Sequence, residues 1–198
     1  TSAVFSGRDP RSGKPYVYLE TLGGGMGARA TKDGKDGVQV NITNTSNLPV
    51  EAIEQEYPLR VEGYELIEDS GGAGRYRGGL GIRRILRPVG HDCVFSGVGE
   101  RFRHQPWGVF GGQPGATGAF YLARAEAARE SLPPKASDIR LTPDMAVVIE
   151  TPGAGGYGDP SDRAEAARDQ DRSSGKFSAD YMRRNYDGHG KDQRFDTE

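Results

Sequence analysis

The sequence predicts a mainly β fold, a β-rich α+β arrangement of short strands, glycine-rich loops and short helices with a helical C-terminal tail. Three observations predict it. Glycine supplies 30 of the 198 residues, well above its ordinary share of about 7%, and it follows no three-residue period. It therefore marks turns and close approaches of backbone, not a collagen-like repeat. Short runs of alternating apolar and polar residues lie between the glycine clusters. After Pro160 that alternation stops, and the chain turns rich in Arg, Asp, Ala and Ser.

Each element can be justified in order. In "KPYVYLETLGG", Tyr16 and Tyr18 alternate with Val17 and Leu19, which reads as a strand. Asp36 to Thr45 is expected as a second strand, with Val38, Val40 and Ile42 on one face. Pro49 to Glu56 is expected as a short helix, with Pro49 in the first turn, Glu51 and Glu54 following it, and Pro58 ending it. "LRVEGYELI" resumes a strand. Asp69 to Leu86 opens as a loop and becomes a strand through Ile82 and Ile85. "CVFSGVGERF", "GAFYLAR" and "MAVVIETPGAGGYGDP" continue the β pattern, separated by the turn signals "PVGHD", "QPWGVFGGQPGATG", "PPKASD" and "LTPD". Asp162 to Arg168 is expected as a helix capped by Ser161, and "SADYMRRNY" as one capped by Ser178. No repeat of fixed period is present. The reading is a β-rich domain over residues 1–160, a helical tail over 161–186, and compositional disorder over 187–198.

Composition narrows the function classes. Net charge is −2, which gives no electrostatic case for nucleic acid or an anionic membrane. The single cysteine, Cys93, allows no internal disulfide and fits a reducing compartment. No apolar run approaches the roughly 20 residues of a membrane span, and no charged-then-apolar leader opens the chain. A soluble, cytoplasmic protein is the expectation. The chain begins at Thr1 without a methionine, as a processed product or part of something longer would. An N-terminal Thr can also act as a nucleophile, with its own amine as base.

The stretch "TLGGGMGARATKDGKDG", Thr21 to Gly37, raises the question of a phosphate cradle. No Gly-Lys here continues to Ser or Thr, so no Walker-type loop is present. Gly23, Gly25 and Ala28 match a dinucleotide fingerprint loosely, but a turn and a strand follow where a helix is needed. Backbone shaping is the favoured reading. His91, His104 and His189 form no metal-ligand spacing, and no metal is expected on this chain. His91 and His104 are expected to brace turns. Ser70 and Ser96 precede glycines whose N–H groups suit an oxyanion hole, though plain turns are the favoured reading. Arg75, Arg77, Arg83 and Arg84 surround a glycine loop, with Arg101 and Arg103 nearby. Arginine forks carboxylates and phosphates. Ion pairs to Glu51, Glu54, Glu56 and Glu68 are the favoured alternative.

Several of these motifs carry a resemblance. Gly24 to Arg29, Asp33 to Gly37, "TNTSNLPVE" from Thr43 to Glu51, and "DSGGAGRYRGG" from Asp69 to Gly79 resemble, in that order, the C-terminal part of the hydantoinase B/oxoprolinase family. "ERFRHQPWGVFGGQPG", "TPGAGGYGDP" and "GKFSADYMRRNY" are similar to its later loops and closing helix, so the resemblance covers nearly the whole chain. It implies a portion of a larger B-type subunit that works in a hetero-oligomer with a hydantoinase A-like subunit. The implied activity is ATP-dependent hydrolysis of cyclic amides such as hydantoins, lactams or 5-oxoproline. The implied alternatives are a ketone carboxylase, acting on acetone or acetophenone, and a non-catalytic assembly module. The resemblance places ATP with Mg on the partner subunit and a divalent metal in the remaining N-terminal portion of the B-type subunit. No cofactor is then expected on this chain, which alone should be inactive.

Catalytic residues are not identified. The substrate or interface loop candidates are Arg29, Asp33, Asp36, Asp69, Ser70, Arg75 and Arg77. Arg29 is expected to hold the first glycine loop to Asp33 or Asp36. The loop after Asp69 is expected to be ordered, with Asp69 accepting backbone N–H groups and Arg77 in a salt bridge. It would then wall the partner interface or the catalytic cavity.

Overall fold

A computed structural model describes residues 1–40, 43, 45–124 and 129–187. Among the described residues, nine strands form two antiparallel sheets. The first sheet contains β1 (Ser2–Arg8), β2 (Pro15–Thr21), β5 (Cys93–Val98) and β8 (Lys135–Leu141), in the order β2-β1-β5-β8. The second contains β3 (Leu59–Leu66), β4 (Ile82–Pro88), β6 (Ala119–Arg124), β7 (Glu130–Leu132) and β9 (Met145–Glu150), in the order β3-β4-β9-β6-β7. Helix α1 (Val50–Glu56) leads into β3, and the Glu54 carboxylate accepts the Val61 N–H at 2.9 Å.

The alternation read in the sequence becomes an inward face on each strand. Ala3, Phe5, Tyr18 and Phe95 of the first sheet meet Leu86, Phe120, Val147 and Ile149 of the second in one apolar core. The Phe5 and Phe95 rings lie 5.1 Å apart, and Phe95 meets Phe120 edge-on at 5.6 Å. Arg84 takes an inward position on β4, between Ile82 and Leu86, and is fully buried. A buried charge needs a partner and hydrogen bonds. Glu20 on β2 supplies the charge, and also accepts the Tyr18 O–H and the Leu48 N–H. The Tyr64 ring lies 4.1 Å from the guanidinium.

Several sequence expectations are corrected. Among the described residues of 36–45 there is no strand; Val38 makes one isolated bridge to Gly24, and Ile42 lies outside the described residues. Gly37 (φ 58°) turns the chain so that its N–H bonds the Leu80 carbonyl. β1, β7 and β8 go beyond the strands that alternation predicts. "PPKASD" reads as a turn, yet only the two prolines turn and β8 begins at Lys135. Its Ser-Asp signal marks a bulge: Phe95 pairs with Ile139 but Gly97 with Ala136, and Asp138 absorbs the shift at φ 57°.

The expected helix after Ser161 starts later. A 3-10 turn spans Pro160–Asp162, and Asp159 accepts the Ser161 N–H. Arg163 is extended, and α2 runs Glu165–Ser173 with no side-chain cap. The helix α3 (Ala179–Met182) does carry Ser178 as its cap and continues into a π-helical turn over Arg183–Asp187. Residues 188–198, within the stretch expected to be disordered, lie outside the described residues. No helix among the described residues is long and apolar enough to cross a membrane.

Candidate functional site

Outside the sandwich, four glycine-rich loops (residues 23–37, 69–81, 106–116 and 151–158) pack backbone against backbone. Met26 N–H bonds Lys35 O, Gly79 N–H bonds Met26 O, Ala154 N–H bonds Gly79 O, and Gly72 N–H bonds Ala154 O, all at 2.8–3.0 Å. The ladder continues from Gln113 N–H to Ala73 O at 2.7 Å and from Gly156 N–H to Gln113 O at 2.9 Å. The chains lie too close for side chains. A Cβ on Gly78 would sit 1.8 Å from the Ala154 carbonyl oxygen, and one on Gly79 1.9 Å from that of Lys35. Neither glycine is left-handed, so close approach is what requires glycine there.

The tail closes this bundle. Ala73 and Leu80 are capped by Phe177, Tyr181, Met182 and Tyr186 in a second apolar cluster. The Tyr181 O–H donates to Gly71 O at 2.5 Å, and the Gly74 N–H donates to the Tyr186 hydroxyl at 3.3 Å. Asp69 (φ 62°) accepts the Ser178 N–H at 2.8 Å and its O–H at 2.6 Å. The backbone N–H that Asp69 accepts thus comes from the tail.

Beside this cluster runs a line of alternating charge. Asp33 is forked by Arg163 at 2.8 and 2.9 Å. Arg163 Nε reaches Asp171 at 2.9 Å, and Asp171 reaches Arg77 Nε at 3.2 Å. Arg77 Nη1 bonds Asp36 at 2.9 Å, and Asp36 bonds Lys176 Nζ at 2.8 Å. Arg77, Arg163 and Asp171 are buried. Burial alone would raise the Asp33 carboxyl, but hydrogen bonding and attraction from Arg163 and Arg77 outweigh it and hold it below its ordinary value. Burial opposes Asp36 in the same way, and Lys176, the Leu80 N–H and Arg77 prevail. Both carboxylates stay ionised and engaged, which suits a clamp and not proton transfer.

Three of the seven candidate residues therefore meet: Asp33, Asp36 and Arg77. Arg75 is exposed, 5.6 Å over the Tyr76 ring. With Lys32, Tyr76 and Asp162 it lines a cleft of about 380 Å³ that Asp33 and Arg163 also line. Ser70 is committed to backbone: its O–H donates to Ile67 O at 2.7 Å and its oxygen accepts the Gly81 N–H at 3.0 Å. Arg29 is a correction. Asp33 and Asp36 are taken by Arg77, Arg163 and Lys176, and Arg29 Nε is buried with no hydrogen-bond partner among the described residues. The glutamates expected to pair the arginines are also corrected. Arg83 binds Glu65 and Glu150, and Arg84 binds Glu20.

His91 braces its turn through Tyr16 and the Val89 carbonyl. Burial pushes the Cys93 thiol up to about 11, so it stays protonated and unreactive. No group of three or more His, Cys, Asp or Glu gathers as a ligand set among the described residues. Sequence reasoning missed Arg163, Asp171 and Lys176. Their one legible signal was the charge-rich composition of the tail, which specifies no partner.

Comparisons with known proteins agree with this architecture. Residues 1–160 match the family model for Hydantoinase B/oxoprolinase. An uncharacterized protein of Methanocaldococcus jannaschii is 43% identical over 152 residues, 76% of this chain and 26% of that one. The 5-oxoprolinase 1 of Arabidopsis thaliana is 40% identical over 146 residues, 72% of this chain and 11% of that one. The crystal structure of the ATP-dependent caprolactamase from Pseudomonas jessenii superposes with a TM-score of 0.77 at 27% identity, over 93% of this chain and 33% of that one. The chain thus spans between about a tenth and a third of the length of these proteins.

Proposed function

The chain belongs to the hydantoinase B/oxoprolinase family, and we propose that it is the C-terminal portion of the B-type subunit of an ATP-dependent cyclic amide hydrolase. The observation that carries this reading is the likeness, over most of the chain, to a 5-oxoprolinase and to an ATP-dependent caprolactamase. 5-Oxoproline and caprolactam share a ring amide, as do the hydantoins of the family name. Ring opening of a hydantoin, a lactam or 5-oxoproline is therefore the reaction assigned. In this reading ATP with Mg belongs to a hydantoinase A-like partner, and a divalent metal to the remaining portion of the B-type subunit.

The role of this portion is mechanical. The backbone bundle is held by direct hydrogen bonds between its loops, and the charge line ties it to the tail. It presents Arg29, Arg75 and the loop after Asp69 as part of the wall facing the partner subunit or the reaction cavity. The chain on its own is inactive.

The test is an assay of the assembled complex for ATP-dependent ring opening of hydantoin, a lactam and 5-oxoproline. ADP and the ring-opened acid should appear together, and only when the partner subunit is present. ATP-dependent carboxylation of acetone or acetophenone in place of ring opening would overturn the assignment. ATP hydrolysis by the purified chain, stimulated by any cyclic amide, would overturn its passive role.

A further inference from the structure

A second cleft lies beside the bundle, where the turn after β5 faces the entry to β8. Its volume is about 590 Å³, within the usual range of small-molecule sites. Gly99 N–H bonds the Pro134 carbonyl at 2.8 Å and joins the two walls. Phe102 anchors the loop, its ring 4.8 Å from Phe120. It is packed so closely that a Cβ on Gly99 or Gly118 would lie 2.2–2.3 Å from it. Arg101, before Phe102, is forced left-handed (φ 60°) and its carbonyl is fixed by the Gly118 N–H at 3.2 Å. With Phe102 turned inward, Arg101 and Arg103 stand at the cleft with His104, opposite Lys135.

In this cleft cations outnumber carboxylates. Many arginines outside it are ion-paired, including Arg77, Arg83, Arg84, Arg87, Arg140 and Arg163, though Arg75, among the described residues, is not. Arg101, Arg103 and Lys135 have no carboxylate partner among the described residues; Arg101 instead lies 4.2 Å over the Trp107 ring. Glu100 is the one carboxylate on the wall. Three permanent cations against one anion leave a charge of +2, and the two guanidinium groups have the planar fork that suits oxyanions.

We propose that this cleft binds a small doubly charged oxyanion, a phosphoryl group or a dicarboxylate, held by Arg101, Arg103 and Lys135. The site is independent of the ring-opening assignment. A compact concave cleft favours a small ligand over an acidic segment of a partner protein. Glu100 also disfavours a polyanion, by repelling any charge beyond the first pair.

Trp107 is the single tryptophan of the chain and is largely exposed beside Arg101, so its emission reports on the cleft. The purified chain is titrated with inorganic phosphate, phenyl phosphate and glutarate at constant ionic strength, with chloride and polyglutamate as controls. A saturable change in Trp107 emission with one of the dianions, and not with chloride, is expected. Saturation with phosphate and its ester identifies a phosphoryl site; saturation with glutarate alone identifies a dicarboxylate site. Arg103→Ala and Lys135→Gln should each weaken binding at least tenfold with unchanged melting temperature, since both side chains are exposed. No saturable change with any dianion, equal titration of wild type and both variants, or a response to polyglutamate alone would each overturn the proposal.

Discussion

The sandwich and the glycine bundle achieve order by opposite means. In the sandwich, large side chains such as Phe5, Phe95 and Phe120 fill the space between two sheets, and removing apolar surface from water supplies the stability. In the bundle the backbones touch directly, so little side-chain surface is available to bury. Its loops are ordered against a high entropic cost of about 1–2 kcal/mol per residue. Backbone hydrogen bonds and the tail offset that cost. Both regions hold a buried arginine, and the contrast recurs there. Arg84 pins one sheet to the other through Glu20, whereas Arg77 and Arg163 pin three loop and tail segments through shared carboxylates. Here the tail and the charge line cover and clamp the bundle from outside.

The sharpest way to break the comparison is Arg163→Ala. It leaves Asp33, among the described residues, with the Arg77 backbone N–H alone and the buried Asp171 with Arg77 as its remaining cation, and breaking such a pair costs about 3–5 kcal/mol. Urea unfolding measures the loss, and amide exchange shows where it falls. Protection should disappear first at the bonds of Gly72, Gly79 and Ala154, with β5 and β9 retaining theirs. Simultaneous loss in both regions would mean that they unfold as one unit.

Phe95→Ala is the counterpart in the sandwich. It removes a fully buried ring touching Phe5 and Phe120, and should cost about 3–5 kcal/mol. Here β5 and β9 lose protection with or before the bundle.

Gly78→Ala tests backbone packing with one methyl group. The 1.8 Å approach to Ala154 O leaves no room, and the resulting overpacking should cost about 1–3 kcal/mol. Gly27→Ala is the matched control: nothing lies within 4 Å of its Cβ position and its φ is not left-handed. Stability there should stay within about 0.5 kcal/mol or rise slightly.

Acid gives a smaller, graded effect. Asp33 and Asp36 are held below their ordinary value of 3.8 when folded, so the unfolded chain binds more protons over the intervening range. Their contribution is complete above that value and declines as pH falls through the folded values. Melting temperature should drop below about pH 4, and Asp36→Asn, already weakened at neutral pH, should show a shallower drop. An equally steep drop in the variant would shift the acid sensitivity to other carboxylates.

Much of the sandwich was legible. Alternation placed β2, β3, β4, β5, β6 and β9, and Ser178 announced its helix. The strand expected at Asp36–Thr45 failed because Gly37 turns the chain and Val38 pairs with a loop. β8 was obscured because its bulge carries turn-type residues. The glycines of the bundle were conspicuous, but their shared reason was not, since a glycine needed for close approach reads the same as one needed for a turn.

By itself the sequence determined the class of fold, the glycine loops and the family, because strand periodicity, turn chemistry and ordered motifs are properties of neighbours along the chain. Only the tertiary structure decided which charges meet. Arg77 finds Asp36 from 41 residues away and Asp171 from 94, and Arg163 finds Asp33 from 130. Composition lists those ions without pairing them. Pairing follows from which loops the backbone bundle brings side by side, and that is settled by the packing of glycines against carbonyls from distant segments.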